Sequence, residues 1–213
     1  MKKELAIDQW KRKEHFEFFR KFEEPFFGIT TKIDCTKAYR NAKESGQSFF
    51  LYYLYQSLIA ANSIEEFKYR IEDEKVVIYD QINASATINR PNDTFGFSYI
   101  YFNEDPALFY KLAKEEMDRV SKSTQLFPLV SGDDVIHYSA IPWIDFTSLS
   151  HARCYSFNDS VPKISFAKLT ETNGKREMSI SVHVHHALMD GYHVGKFIET
   201  FQELMNNQSN TLK

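Results

Sequence analysis

The stretch Glu177-Met178-Ser179-Ile180-Ser181-Val182-His183-Val184-His185 alternates apolar and polar residues along its whole length. Successive side chains on a strand point to opposite faces. Met178, Ile180, Val182 and Val184 therefore share one face, and Ser179, Ser181, His183 and His185 share the other. Just upstream, Asn173-Gly174 reads as a tight turn joining this strand to an extended arm over Lys163 to Thr170. Downstream, Gly191 closes a turn. Val194, Phe197, Ile198, Phe201, Leu204 and Met205 then recur at helical spacing.

Further from this core the same two periods alternate irregularly. Trp10 to Phe22 mixes cations with phenylalanines and predicts a short amphipathic helix ended by Pro25. Phe27 to Ile33 predicts a strand. Thr36 to Glu44 and Ser48 to Asn62 predict helices, with Asp34 or Thr36 as a cap for the first and Gly46 between them. The second helix is apolar nearly all round and should be buried. Lys75 to Tyr79 and Phe95 to Phe102 predict strands. Asp105 to Ser121 opens with Asp-Pro, a helix start. Val135 to Phe146 is extended, with a bend or edge at Pro142. Such a succession gives an α/β or α+β fold on a mixed sheet. With no repeat, linker or charge block, residues 1–213 are expected to form one domain.

Composition removes several classes of function. The chain has 26 Lys plus Arg against 29 Asp plus Glu, a formal charge of −3. It therefore has no bulk attraction to nucleic acid or to anionic lipid. The longest apolar run, Phe49 to Tyr55, is far shorter than the ~20 residues of a membrane span. No apolar stretch follows Met1 to Leu5, so a signal peptide is not expected and a cytoplasmic protein is. Cys35 and Cys154 match no disulfide framework or zinc spacing and are expected as two reduced, buried thiols. Aromatic residues make up 15% of the chain, which suits a large aromatic core, an aromatic pocket or buried subunit contacts.

Chemistry concentrates at His183-Val184-His185-His186-Ala187-Leu188-Met189-Asp190-Gly191. Histidine is the side chain whose ordinary pKa suits a general base near neutrality. Three readings compete on the residues alone. The histidines can be satisfied by local hydrogen bonds at a strand end. His183, His185 and His193 can bind a metal, although no acidic ligand stands at a familiar spacing. Or one histidine acts as a base on a turn that carries a carboxylate four residues on.

His-His-Ala-Leu-Met-Asp-Gly at 185–191 resembles the His-His-x-x-x-Asp-Gly signature of the CoA-dependent acyltransferases. Three other segments resemble the chloramphenicol acetyltransferase family within that group: Trp10 to Arg20, Thr31 to Asp34, and Pro142-Trp143-Ile144-Asp145-Phe146-Thr147-Ser148. Length and motif order agree from end to end. The resemblance implies an α+β two-layer sandwich of CoA-dependent acyltransferase type. It implies an acetyl-CoA-dependent O-acetyltransferase that acts on a hydroxyl of chloramphenicol in a ternary complex, with acetyl-CoA as co-substrate and no metal.

Residue by residue, the resemblance makes His186 the base that deprotonates the acceptor hydroxyl. Ser148 matches the serine that donates to the oxyanion. Ser165 stands where a threonine helps stabilise the intermediate through water. Asp190 matches an aspartate that pairs with an arginine, here Arg12, to hold the turn, the base being oriented by its own carbonyl rather than by a triad. Phe27 matches a pocket phenylalanine and Phe19 replaces a pocket tyrosine. The expected assembly is a homotrimer with active sites at subunit interfaces, without nucleic acid or membrane partners. The alternatives are an acyltransferase for a different hydroxylated small molecule, to which the lost hydroxyl at Phe19 points, and a non-catalytic trimeric binding protein of the same fold.

Overall fold

The computed structural model describes residues 1–127 and 129–207. Strand β1 (Lys2–Glu4) leads to helix α1 (Lys13–Phe19), β2 (Phe26–Asp34), α2 (Thr36–Glu44) and α3 (Phe49–Asn62). Next come β3 (Tyr69–Glu72), β4 (Lys75–Tyr79), β5 (Asn83–Asn89), β6 (Phe95–Phe97) and α4 (Pro106–Lys122). The chain continues with β7 (Val135–Ala140), β8 (Lys163–Phe166), β9 (Thr170–Thr172), β10 (Lys175–His185) and α5 (Gly191–Asn206).

The main sheet runs in the order β2-β10-β8-β7-β5-β6, with β9 also on β10. The β10 pairings to β2, β8 and β9 are antiparallel, whereas β5–β7 and β7–β8 are parallel, so the sheet is mixed as expected. A small antiparallel sheet, β1-β4-β3, stands apart. Asn173 and Gly174 both take positive φ, 52° and 79°, which makes the two-residue turn between β9 and β10.

The alternation in β10 is realised in space. Met178, Ile180, Val182 and Val184 are fully covered and join one core with residues of α2, α3, α4 and α5. Helix α3, apolar all round, is buried from Leu51 to Leu58. The other face of the sheet is polar. Register places Gly28, His183, Lys163, His137 and Ser85 in one row across five strands. Thr30, Ser181, Ser165 and Ser139 form the next row. The segment 147–162, which has no regular structure, lies over this face: the Leu149 carbonyl accepts from His183, and Asp159 pairs with Lys163.

Several elements differ from the sequence reading. Helix α1 stops at Phe19, not near Pro25, because the chain must reverse before β2 starts at Phe26, and Phe22 folds back on Phe18 and Phe19. Strand β6 ends at Phe97. There the Ser98 hydroxyl accepts from the Ala86 N–H and donates to the Ala86 carbonyl, which also accepts from the Ser98 N–H, and the run expected to reach Phe102 continues only as an isolated bridge of Ile100 with Ala84. Strand β7 ends at Ala140, before the turn at Pro142. The arm from Lys163 to Thr170 is interrupted after Phe166, where the Lys168 N–H turns aside to the Ile144 carbonyl. The N-cap of α2 is Cys35, without a side-chain cap bond, rather than Asp34 or Thr36; Asp34, one residue outside it, accepts from the Thr36 N–H at 2.9 Å. Both cysteines are free, but Cys154 is exposed rather than buried because it lies in the irregular segment. Among the described residues no helix is long and apolar enough to cross a membrane.

Candidate active site

Strand β10 delivers two adjacent histidines to opposite sides of the sheet. The His185 ring meets Phe26 edge-on at 5.4 Å, and Phe26 in turn lies under Arg153 and Lys163 on the polar face. His185 Nδ1 accepts from the Ala187 N–H, and burial followed by the nearby Arg153 charge pushes its pKa down to about 4. His185 is thus a neutral, structural imidazole at physiological pH.

His186 goes the other way. Its ring stacks on Phe19 at 3.9 Å with an interplanar angle of 10°, and Phe27 flanks it at 4.6 Å. Phe27 pairs with Val184 in the sheet register and packs on the helix-covered core. His186 Nδ1 is buried and has no hydrogen-bond partner among the described residues, its own carbonyl included, so the expected orientation of the ring by that carbonyl is not seen; the ring is held by Phe19 and Phe27 instead. Its backbone is pinned at both ends. The N–H donates to the Pro25 carbonyl at 2.8 Å, and the carbonyl accepts from Arg12 Nη2 at 3.2 Å.

The turn after His186 is rigid for identifiable reasons. Ala187 and Leu188 are buried with Phe16, Tyr69, Val76 and Ile78, and Trp10 packs edge-on against Tyr69 at 5.5 Å. This apolar cluster holds α1 and its leading residue Arg12 against the turn. Arg12 Nη1 then meets Asp190 Oδ2 at 2.6 Å. Asp190 is also the N-cap of α5, accepting from the Tyr192 N–H at 3.0 Å. Partial burial works to raise its carboxyl pKa, but the bonds and charges of Arg12 and His193 outweigh this and hold it below the ordinary value.

His193 completes a capping box: its Nδ1 lies 3.1 Å from the Asp190 N–H and 2.9 Å from Asp190 Oδ1. Its other nitrogen faces Glu66 Oε1 at 3.3 Å, and that contact holds the Glu66 carboxyl below its ordinary range. A polar chain therefore runs Glu66, His193, Asp190, Arg12, His186 carbonyl. Nothing in the sequence near Glu66 signals this role, because it depends on α5 docking beside the residues that follow α3.

The structure thus brings Arg12, Asp190, Phe19 and Phe27 together around His186. Asp190 is taken up by Arg12, the helix cap and His193, and no hydrogen bond among the described residues joins it to His186. Ser148 and Ser165 are not part of this group. Ser148 is exposed in the segment after β7, and among the described residues no hydrogen bond joins it to His186. Ser165 is wholly buried on β8 beside Ser181, on the polar face, and among the described residues its hydroxyl has no hydrogen-bond partner. The three histidines considered as metal ligands are also separated. His183 sits between Gly28 and His151, whereas His193 is engaged by Asp190 and Glu66. Among the described residues no group of three or more His, Cys, Asp or Glu side chains could hold a metal ion.

Comparison with known proteins gives the family. The profile of the family described as chloramphenicol acetyltransferase matches residues 2–202. The chain belongs to the chloramphenicol acetyltransferase family. It is 31% identical over 205 residues to chloramphenicol acetyltransferase 3 of Escherichia coli, covering 95% of this chain and 96% of that one. It is 29% identical to the chloramphenicol acetyltransferase of Proteus mirabilis over 200 residues, 93% of this chain and 92% of the other. A solved chloramphenicol acetyltransferase superposes with a TM-score of 0.89 at 33% identity, covering 96% of this chain and 100% of that one. A probable dihydrolipoamide acetyltransferase of Listeria monocytogenes shares the fold at a TM-score of 0.66 and 14% identity, with 93% of this chain and 92% of the other covered. The protein is an acyltransferase of this family, and its mixed α/β architecture is that of the acyltransferase core domains.

Proposed function

We propose that the protein transfers an acetyl group from acetyl-CoA to a hydroxyl of a small molecule, chloramphenicol being the acceptor named for its relatives. His186 takes the hydroxyl proton as the oxygen attacks the thioester carbonyl. The tetrahedral intermediate carries its negative charge toward the Ser148 hydroxyl, with Ser165 assisting through water. Collapse expels the CoA sulfur, which takes the proton back from the imidazolium. An alcohol is a poor nucleophile until a base removes its proton, and alignment of both substrates supplies much of the remaining acceleration. Arg12 and Asp190 do not touch the reacting atoms. They hold the carbonyl and turn that aim the His186 ring.

The observation that carries the reading is the clamp on His186: a ring packed between Phe19 and Phe27, with its carbonyl held by an arginine that Asp190 fixes. A second observation supports a shared site. His186 lies on the side of β10 that Val184 and Phe27 occupy, whereas Ser165 lies on the polar face with Ser181. One chain then offers two half-sites facing opposite ways, which suits a homotrimer in which each base meets its neighbour's serines.

Mixing tests both points. His186→Ala and Ser148→Ala chains are each made alone, then unfolded together and refolded. Recovery of acetyl transfer in the mixture, where some interfaces combine an intact base with an intact serine, is expected. A mixture no more active than its components, or an active monomer in sedimentation, would reject the shared site.

A further inference from the structure

His193 and Phe197 lie one turn apart on α5 and share a face of it. The Phe197 ring packs on Phe67 at 4.9 Å, and both are wholly buried. Phe67 belongs to the short 3-10 turn Glu65–Lys68 that follows α3. Its packing brings the preceding residue, Glu66, to the His193 ring, where Glu66 Oε1 lies 3.3 Å from Nε2. Contact with His193 lowers the Glu66 carboxyl more than partial burial raises it, so Glu66 is ionised at neutral pH. An ionised carboxylate only accepts, so the proton in this contact sits on His193 Nε2.

That proton decides what the other ring nitrogen can do. Nδ1 lies 3.1 Å from the Asp190 N–H and 2.9 Å from Asp190 Oδ1. A neutral imidazole is a donor at one nitrogen and an acceptor at the other. With the proton on Nε2, Nδ1 accepts from the Asp190 N–H and closes the capping box. With the proton on Nδ1, the ring would donate to Oδ1 instead. The Asp190 N–H would lose its acceptor, and Oδ1 would be shared between the ring and the Tyr192 N–H. Arg12 holds the second oxygen of the same carboxylate at 2.6 Å, so a change at Oδ1 is felt at Arg12. The same guanidinium reaches the His186 carbonyl.

We propose that Glu66 and His193 are positioning residues of the acetyl transfer: Glu66 selects the Nε2–H tautomer of His193, and His193 in that form seats Asp190 so that Arg12 can hold the His186 carbonyl. The inference rests on the acetyl-transfer reading and extends its machinery to two residues that touch no reacting atom. The device is a carboxylate–imidazole pair, in which the hydrogen bond at one ring nitrogen sets the role of the other. Here the oriented ring serves a backbone N–H rather than a substrate. Losing the pair leaves His186 in place but slackens its aim. A small misplacement transmitted from a distant residue is costly for the chemical step, so the loss falls on kcat, with substrate binding spared.

The test combines kinetics with NMR. Acetyl transfer from acetyl-CoA to chloramphenicol is measured for Glu66→Leu, His193→Phe, their double variant and His193→Asn, with folding checked by thermal melting. Glu66→Leu and His193→Phe should each lower kcat by about tenfold or more, with both KM values within about twofold of the parent. The double variant should be no worse than His193→Phe alone, because Glu66 acts only through the ring. His193→Asn, whose side-chain oxygen can stand in for Nδ1 as acceptor, should recover part of the loss. It also replaces His193→Phe in the cycle if that variant fails to fold. In the parent labelled with 15N-histidine, the His193 ring should show the neutral Nε2–H pattern at pH 7.5, and Glu66→Leu should shift it. Additive losses in kcat, a lower melting temperature with kcat intact, or a parent His193 ring protonated at Nδ1 would each overturn the inference and leave the transferase reading standing. A parent that transfers no acetyl group to chloramphenicol would count against that reading and reject the inference with it.

Discussion

Arg12 and Asp190 lie 178 positions apart in the chain and 2.6 Å apart in the fold. The same guanidinium reaches the carbonyl of His186, so one side chain ties helix α1 to both ends of the active-site turn. Asp190 is about a third open to solvent, which places the pair between a surface and a buried bridge.

Arg12→Ala and Asp190→Asn should each cost about 1–3 kcal/mol, read as a lower unfolding midpoint. The double variant should cost less than the sum, because both changes remove one interaction. Strict additivity would mean the two residues are not coupled. The pH dependence has a definite sign. A carboxyl lowered on folding contributes stability above the unfolded value of about 4, and that contribution disappears as pH falls through the folded value. The Asp190→Asn variant should therefore lose less stability than the parent below about pH 4.

Acid should weaken the fold earlier than this, through the histidines. His137, His151 and His185 are all pushed down to about 4, burial being the largest cause in each. Between about pH 6.5 and 4 the unfolded chain binds protons that the folded chain refuses, so stability falls as pH drops through that window. The slope is at most about 1.4 kcal/mol per pH unit for each histidine, and less where solvent reaches the ring. Urea midpoints at pH 7.5, 6 and 5 should fall steadily, and His185→Gln should flatten the decline.

Gly28 has no side chain because His183 occupies the space. A Cβ there would lie 2.3 Å from His183 Nε2, with two more ring atoms within 2.7 Å. Gly28→Ala should destabilise by about 1–3 kcal/mol and speed proteolysis within 147–162, since His183 would have to leave the Leu149 carbonyl. Adding His183→Ala should restore stability relative to Gly28→Ala alone. A double variant weaker than either single one would show that the clash is not the cause.

Glu66→Gln probes the far end of the chain that stops at the His186 carbonyl. It keeps size and removes charge, so the expected outcome is a kcat lowered by a few fold with both KM values unchanged. Glu66→Asp should recover part of the loss. A drop in thermal stability alone, with kcat intact, would confine Glu66 to a structural role.

Ser148→Ala should lower kcat by roughly a hundredfold to a thousandfold, on the order of 3 kcal/mol, with little change in KM. Its exposure in the irregular segment predicts an unchanged melting temperature. His186→Ala should abolish transfer and leave CoA binding nearly intact. A Ser148→Ala enzyme within about threefold of the parent would identify Ser148 as an ordinary surface residue.

Strand β10, helices α2 to α5 and the Asn173-Gly174 turn were legible because each is specified locally, by period or by a positive-φ residue. The contact of Arg12 with Asp190 followed from the family resemblance, not from spacing; the same resemblance made Phe19 and Phe27 pocket residues, and their packing on the His186 ring was not read from the sequence. Strands β1, β3 and β5 escaped the reading. β1 and β3 have three and four residues, too few to establish a period. β5 reads Asn83-Ala84-Ser85-Ala86-Thr87-Ile88-Asn89, whose small residues carry a weak strand signal although most of it is buried. The covered polar face escaped for a different reason. Lys163 and His183 look like solvated positions in an alternating strand until the 147–162 segment covers them, and a cover of irregular backbone leaves no periodic trace in sequence.

The doublet at 185 and 186 fixes the handedness of the chemistry by parity. Odd positions from Ser179 to His185 belong to the polar face and even positions to the core, so the two imidazoles fall on opposite sides because one number separates them. Deleting a single residue between Met178 and Val184 would exchange the faces of every later side chain in the strand. It would send hydroxyls and imidazoles into the helix-packed core and swing the base away from Phe19. Deleting two would shorten the strand but keep the parity. Insertions and deletions within β10 therefore keep its two faces only when they come in pairs.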